Sequence, residues 1–140
     1  MKYFSIEELT YSFTAEVYCI DNTPDADIVG NLGRLVSSIL DPLREEYGYP
    51  IVVSSGYRCR KLNKVVGGVK NSAHIDGRAA DIRAVHACRR DNMQIGNILL
   101  AHINDWPIDQ VIFEKCDATG CPSWIHVAFS RSPRRQVIYT

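Results

Sequence analysis

The stretch Ser72-Ala-His-Ile-Asp-Gly-Arg-Ala-Ala-Asp81 places an imidazole seven positions before a carboxylate, with a glycine and two alanines between them. Much later, Trp124-Ile-His-Val-Ala-Phe129 places a second imidazole inside an apolar strand pattern. Two neutral imidazoles and one carboxylate can hold a tetrahedral Zn²⁺ whose fourth position stays open for a reactive water. We therefore predict that His74, Asp81 and His126 converge on one zinc ion, which would make the chain a hydrolase.

The alternation of side chains along a strand decides whether these groups can meet. Within the strand predicted at Ala79–Ala84, Asp81 points away from its two apolar neighbours. Within the strand Trp124–Phe129, His126 likewise points away from the apolar side chains that flank it. If the two strands are neighbours, the carboxylate and the imidazole share one face of the sheet. His74 reaches that face from the loop before the first strand, where a glycine permits conformations that larger residues resist.

Hydrophobic periodicity and turn residues predict a single α+β domain that spans residues 1–140. Helices are predicted at Ser5–Leu9, between Thr23 and Gly48, at Arg60–Val66 and at Asp91–Asn104. Strands are predicted at Ile51–Ser54, Ala79–Ala84, Gln110–Phe113, Trp124–Phe129 and Gln136–Tyr139. We expect the helices to pack on a small, mostly antiparallel sheet that carries the zinc site.

The first two helices have recognisable ends. Ser5 is the predicted N-cap of the short first helix. Thr23 matches the N-cap of the long second helix, and Pro24 suits its first helical position. Pro42 is expected to kink the last turns of that helix, and Gly48 to end it.

Composition and charge exclude several classes of function. The chain has 140 residues, of which 46% are hydrophobic and 23% charged, as in an ordinary globular domain. Its 16 basic and 16 acidic residues give a net charge of zero, so we expect no nucleic-acid partner. No apolar stretch reaches the ~18–20 residues of a membrane span. The N-terminus lacks the apolar core of a signal peptide, so we expect cytoplasmic synthesis without one.

The five cysteines are Cys19, Cys59, Cys88, Cys116 and Cys121. Their odd number and the absent export signal favour reduced thiols. Two alternatives stay open for Cys116 and Cys121, which could form a disulfide across the loop between two late strands or bind a metal together.

An ordered set of short motifs runs from the helix near Ile28 to Arg135. It comprises Ser54-Ser-Gly-Tyr-Arg58, Asn63, Gly67-Gly68, Ser72-x-His74-x-x-Gly77-x-Ala-Ala-Asp81, Asp109-Gln-Val-Ile-x-Glu114 and Trp124-x-His126-Val127. This set resembles the M15 zinc peptidases, and within them the M15A D-Ala-D-Ala carboxypeptidase-like proteins of prophage and endolysin type. The resemblance implies a Hedgehog/D-Ala-D-Ala peptidase-like fold, a Zn²⁺ cofactor and cleavage of peptidoglycan stem peptides, as a carboxypeptidase or a murein endopeptidase.

The resemblance also implies roles for single residues. His74, Asp81 and His126 match the zinc ligands of the family. Arg58 matches an arginine that engages a substrate carboxylate or carbonyl, and its planar guanidinium offers a carboxylate two parallel donors. Ser72 matches a serine that positions substrate, although local hydrogen bonding within its turn explains this residue equally well.

The chain departs from the wider family at the general base. Many relatives carry Glu or Asp three residues before the last histidine ligand, where this chain has Ser123. We predict that Glu114 takes this role, because antiparallel pairing of its strand could bring it beside His126. An exposed strand-end carboxylate without a catalytic role is the alternative for Glu114, and Asp117 is the reserve candidate for the base.

The expected partners are peptidoglycan stem peptides, which the protein would meet at the cell wall, as a monomer, after release by a holin or another system. Two other functions stay open. Ser123 favours a catalytically silent, zinc-containing module that binds cell-wall peptides or serves in a phage structure. A purely structural zinc domain requires a fourth protein ligand, for which Cys116 or Cys121 is the candidate.

Overall fold

Six α-helices and five β-strands form the chain in the computed structural model, which describes residues 1–140. The helices are α1 (Ile6–Thr10), α2 (Phe13–Val17), α3 (Ala26–Leu35), α4 (Asp41–Tyr47), α5 (Arg60–Val65) and α6 (Arg89–Ala101). The strands are β1 (Ile51–Ser55), β2 (Ala79–Ala84), β3 (Ile108–Glu114), β4 (Trp124–Phe129) and β5 (Gln136–Tyr139). No helix combines the length and the apolar character that a membrane crossing requires.

The five strands form one sheet in the order β1-β2-β4-β3-β5. The first four pair antiparallel with their neighbours, and β5 lies parallel to β3 at the edge. The predicted α+β class with a small, mostly antiparallel sheet is therefore confirmed. Because β2 and β4 are neighbours, Asp81 lies directly opposite His126 in the register.

One face of the sheet is buried under the helices. Its fully buried side chains are Ala80, Ile82, Val111, Phe113, Ile125 and Val127. They share one apolar cluster with residues of α3, α4 and α6, among them Leu32, Leu43 and Leu99. Full burial of a valine, leucine, isoleucine or phenylalanine side chain contributes about 1.5–3 kcal/mol to stability relative to an exposed one. The helices thus cover one face, and the opposite face carries Asp81 and His126.

The start of α3 differs from the sequence prediction. Asp25, not Thr23, is the N-cap, and its carboxylate accepts a hydrogen bond of 2.9 Å from a backbone N–H in the first turn. Thr23 instead donates its backbone N–H and its hydroxyl to Asp21, so its side chain is engaged outside the helix. The prediction that Thr23 caps the helix and Pro24 begins it is therefore wrong, whereas Ser5 caps α1 as predicted.

A π-helical turn, Val36–Leu40, joins α3 to α4. Pro42 follows this turn and has no N–H to donate to the carbonyl of Ser38, so regular α-helical bonding is interrupted there. The distortion expected from Pro42 thus takes the form of a wider helical turn. The helix ends at Gly48, whose φ of 83° is left-handed, as a C-terminal glycine predicts.

Candidate metal centre and its cleft

Three side chains meet on the sheet face opposite the helices. His74 Nε2 and His126 Nδ1 lie 3.3 Å and 3.0 Å from Asp81 Oδ1, and the two ring nitrogens lie 3.3 Å apart. Asp81 lies in β2 and His126 lies directly opposite it in β4. The first imidazole comes from the loop before β2. The structure therefore brings together the three residues that the sequence singles out.

This triangle has the dimensions of a tetrahedral metal site. Zn–N and Zn–O bonds of about 2.0–2.2 Å separate the ligand atoms of a regular tetrahedron by roughly 3.3–3.6 Å. Two edges of the triangle measure 3.3 Å and the third 3.0 Å, close to this range. The three side chains form the group of potential metal ligands in the chain, and they supply two imidazole nitrogens and one carboxylate oxygen.

The arrangement of lone pairs favours a cation at this point. His74 Nδ1 lies 2.7 Å from the carbonyl oxygen of Gly56. Because a carbonyl can only accept, this ring nitrogen carries a proton, so Nε2 is the nitrogen of His74 that could bind a metal ion. Asp81 Oδ1 presents further lone pairs, and a single proton on His126 Nδ1 cannot satisfy both neighbours. The residues present therefore fit a divalent metal ion.

Asp81 is ionised at neutral pH. Burial alone would raise the pKa of its carboxyl, but hydrogen bonding and charge from His126 and His74 hold that pKa well below the usual range. A deprotonated carboxylate is the form that binds metal. The site thus offers its carboxylate in the form that a metal ion requires.

The position of His74 depends on the turn that follows β1. Gly56 is packed against the end of α1, where an added Cβ would lie 2.1 Å from the carbonyl oxygen of Leu9. That carbonyl accepts a hydrogen bond of 2.7 Å from the N–H of Tyr57. The carbonyl of Gly56 in turn orients the His74 ring, a support common for metal-binding histidines. Sequence reasoning missed this role, because it read the segment only for Arg58.

Arg58 lies beside the triangle with unused hydrogen-bonding capacity. Its Nη1 and Nη2 make only long contacts, 3.3 Å and 3.5 Å, with the hydroxyls of Ser55 and Ser72, and its buried Nε has no partner. Burial lowers the pKa of Arg58, while the charge of Asp81 acts in the opposite direction. Ser72 also accepts a hydrogen bond of 3.2 Å from the N–H of His74, which supports the local structural role foreseen for it.

A cleft of about 550 Å³ contains the triangle, and Arg58 and Glu114 contribute to its walls. Ile112 lies opposite His126 in the pairing of β3 with β4, and Glu114 lies opposite Trp124. Glu114 therefore belongs to the same sheet face as His126, two residues farther along the strand. The structure places this carboxylate in the cleft, as the sequence prediction of a nearby base requires.

The other residues considered for the base lie in the loop between β3 and β4. Asp117 accepts hydrogen bonds from two backbone N–H groups of that loop, at 2.9 Å and 3.1 Å, and does not line the cleft. Ser123 donates its hydroxyl to the carbonyl of Lys115 at 3.1 Å. Both side chains thus hold the loop together, and the reserve assignment of Asp117 as the base has no geometric support.

All five cysteines are free thiols, as the sequence favours. Cys116 and Cys121 are therefore not paired, and Cys116 donates its thiol to the carbonyl of Phe113. No cysteine belongs to the group formed by the two histidines and Asp81. The alternative of a structural zinc site with a fourth, thiolate ligand finds no candidate in the structure.

Asp109 and Arg134, which the sequence did not single out for a role in the site, also line the cleft. The guanidinium of Arg134 donates to both carboxylate oxygens at 2.8 Å to 3.2 Å, and its backbone N–H donates at 2.9 Å. Hydrogen bonds from Arg134 lower the pKa of Asp109 against the opposing effect of burial. The ion pair ties β3 to the segment before β5.

Comparison with known families specifies the class of protein. The sequence model of the Peptidase M15 family matches residues 2–105, most of the chain. The chain belongs to this family and is a peptidase. The matched region contains Arg58, His74 and Asp81 but ends before Glu114 and His126, whose placement follows from strand pairing. No curated protein matches the chain.

Proposed function

We propose that the protein is a zinc-dependent peptidase that cleaves the stem peptides of peptidoglycan. The observation that carries this proposal is the triangle of His74, Asp81 and His126, with edges of 3.0 Å to 3.3 Å, in a cleft that Arg58 and Glu114 also line. Three protein ligands leave one position of a tetrahedral zinc ion to water, which is typical of catalytic rather than structural zinc sites.

Bound zinc would lower the pKa of its water toward about 7 and polarise the scissile carbonyl. Glu114 would accept the proton of the attacking water. It is a diagonal neighbour of His126 on adjacent strands, and such neighbours lie about 7–8 Å apart, which leaves room for a water between them. The same carboxyl group would return the proton to the leaving amine nitrogen.

Arg58 would bind the peptide beside the scissile bond. Its long contacts with two serines and its unpartnered Nε favour an added acceptor, and a carboxylate could replace those contacts with two short, parallel hydrogen bonds. Contact with a terminal carboxylate corresponds to a carboxypeptidase, and contact with an internal carbonyl to an endopeptidase. We propose the chemistry that both share, hydrolysis of an amide bond in a stem peptide at the cell wall.

The test is cleavage of purified muropeptides by the zinc-loaded protein, followed by mass spectrometry of the products. We expect new peptide ends that disappear when a chelator removes the metal and return when zinc is restored. Zinc-loaded protein that binds muropeptides without producing new ends would contradict the proposal.

That second outcome would support a catalytically silent module that binds cell-wall peptides or serves in a phage structure. Its support is Ser123, which occupies the position where related peptidases carry an acid and whose hydroxyl is bound to Lys115. The cleavage assay separates the two functions, because both predict zinc and peptide binding but only the peptidase predicts products.

A further inference from the structure

A second, smaller pocket lies beside the cleft. Its volume is about 340 Å³, and its six lining residues are Arg60, Asn63, Lys64, Gly68, Lys70 and Ile75. Three of them are cationic and none is acidic. The three cations make no salt bridge within the chain, whose ion pairs all involve other residues. We call this concavity the basic pocket.

The basic pocket concentrates positive charge in a chain whose net charge is zero. Arg60 and Lys64 lie one turn apart on α5, where like charges repel each other and slightly destabilise the helix. Lys70 joins them from the loop that follows the helix, so the charge comes from two separate segments. Cations gathered around one concavity without counter-charges attract anions to it.

The basic pocket and the cleft meet at one residue without a side chain. Gly68 lines both spaces. An added Cβ at this position would lie 2.1 Å from the amide oxygen of the buried Asn63. The side-chain amide of Asn63 donates to the carbonyl of Val69 at 2.9 Å, and the N–H of Gly68 donates to the backbone carbonyl of Asn63 at the same distance, so both bonds fix the backbone at this position. No side chain at position 68 stands between the two spaces, so one extended ligand could contact both.

We propose that the basic pocket binds a carboxylate of an acidic peptide whose scissile amide lies in the cleft. This inference rests on the proposed function and specifies its substrate as a peptide with a free carboxylate away from the cleaved bond. The pocket makes the chain selective for acidic stem peptides over the same peptides with amidated carboxyl groups. The wall at Gly68 that the basic pocket shares with a cleft suited to peptide hydrolysis favours a peptide over a phosphate polymer as the occupant.

The test compares two synthetic stem pentapeptides with the same free C-terminus. One carries free carboxylates on its second and third residues, and the other is amidated at both. Affinity is measured by fluorescence anisotropy on the zinc-loaded Glu114→Gln protein, so that cleavage does not consume the probe. The double variant Lys64→Gln/Lys70→Gln is compared with Lys61→Gln, an exposed lysine of the same helix that does not line the pocket.

We expect the double variant to bind the acidic peptide about five- to tenfold more weakly than the parent protein, as loss of two partly exposed charge contacts implies. Its affinity for the amidated peptide and both affinities of the Lys61→Gln control should stay unchanged. The preference for the acidic peptide should shrink at high salt. A parent protein that binds both peptides equally, or neither, would overturn the inference.

The same variants separate this inference from the proposed function. If the wild-type protein cleaves both peptides with equal kcat/KM and the double variant behaves as the control does, the peptidase assignment stands and the basic pocket has no role in peptide recognition. If the acidic peptide binds through the pocket but is never cleaved, the subsite stands and the peptidase assignment falls. Binding of a poly(glycerol phosphate) probe in preference to either peptide would assign the pocket to a phosphate polymer and overturn its assignment to a peptide.

Discussion

Asp81 and His126 face each other across the paired strands β2 and β4, with Asp81 Oδ1 3.0 Å from His126 Nδ1. The next pair along the same strands is Ile82 and Ile125, both fully buried on the helical side of the sheet. A slip of one residue would exchange the polar and apolar faces of a strand, so burial of the isoleucines enforces the register. The hydrophobic core thus fixes the geometry of the candidate metal centre.

Replacement of Glu114 tests its role as the base. Glu114→Gln keeps the shape of the side chain but removes its ability to accept a proton. We expect zinc content to stay unchanged and kcat on muropeptides to fall about 10²–10⁴-fold. Asp117→Asn is the matched control, because Asp117 does not line the cleft, and it should retain wild-type kcat. Equal turnover by Glu114→Gln and the wild type would reject Glu114.

Zinc should stabilise the folded protein through the two histidines. Ligand at a hundredfold excess over its Kd adds about 2.7 kcal/mol to the free energy of unfolding, so the Tm measured by calorimetry should rise when zinc is added to metal-free protein. His126→Ala should lose this rise. His86→Ala should keep it, because His86 is exposed and lies outside the group of potential ligands. A rise retained by His126→Ala would place the zinc elsewhere.

Gly56→Ala should destabilise the fold and disturb the centre. The added methyl group would collide with the backbone of Leu9 at 2.1 Å, and a core overpacked in this way loses about 1–3 kcal/mol. Gly33→Ala is the control, because nothing lies within 4 Å of its added Cβ and alanine is the better helix former. Urea denaturation should show lower stability for the first variant and equal or higher stability for the second.

The ion pair between Asp109 and Arg134 should make stability depend on acid pH. The lowered pKa of folded Asp109 means that the unfolded chain binds more protons, so the contribution is present above the unfolded pKa of about 3.9. It is lost as pH falls through the lower pKa of the folded state. Arg134→Gln should therefore be less stable than the wild type near neutral pH and approach it in strong acid, as urea titrations would show.

Arg131→Gln is the control for this measurement, since Arg131 is exposed and forms no ion pair in the structure. Its stability should follow the wild type at every pH. A difference between wild type and Arg134→Gln that stays constant from neutral to strongly acidic pH would show that charge on Asp109 is not its source.

The sheet and the meeting of Asp81 with His126 were predictable because both depend on short-range patterns. Side chains alternate between the two faces of a strand, which puts Asp81 and His126 on one face. The apolar residues that flank them then lie on the other face, which packs on the core. The placement of Glu114 followed from the same rule applied to β3. These patterns survive folding because a shift of register would bury polar groups without partners.

Features that depend on distant contacts, or on competition between neighbouring side chains, could not be predicted. The role of the Gly56 carbonyl requires knowing that α1 packs against the turn after β1. The five-residue helix α2 exposes Phe13 and Val17, so it lacks the apolar periodicity that identifies a helix. Asp25 caps α3, and Thr23 does not, because the hydroxyl of Thr23 donates to Asp21. The residue preferences of N-caps do not distinguish between two such candidates.

X-ray absorption at the zinc edge tests the central claim most directly, when combined with the zinc content of the purified protein. We predict one zinc per chain, surrounded by two imidazole nitrogens, one carboxylate oxygen and a water oxygen at about 2.0–2.2 Å. We expect the variants Asp81→Asn and His126→Ala to contain no zinc. A protein that takes up no zinc, or a spectrum with sulfur at about 2.3 Å, would contradict the assignment of His74, Asp81 and His126 as the ligands of an open catalytic site.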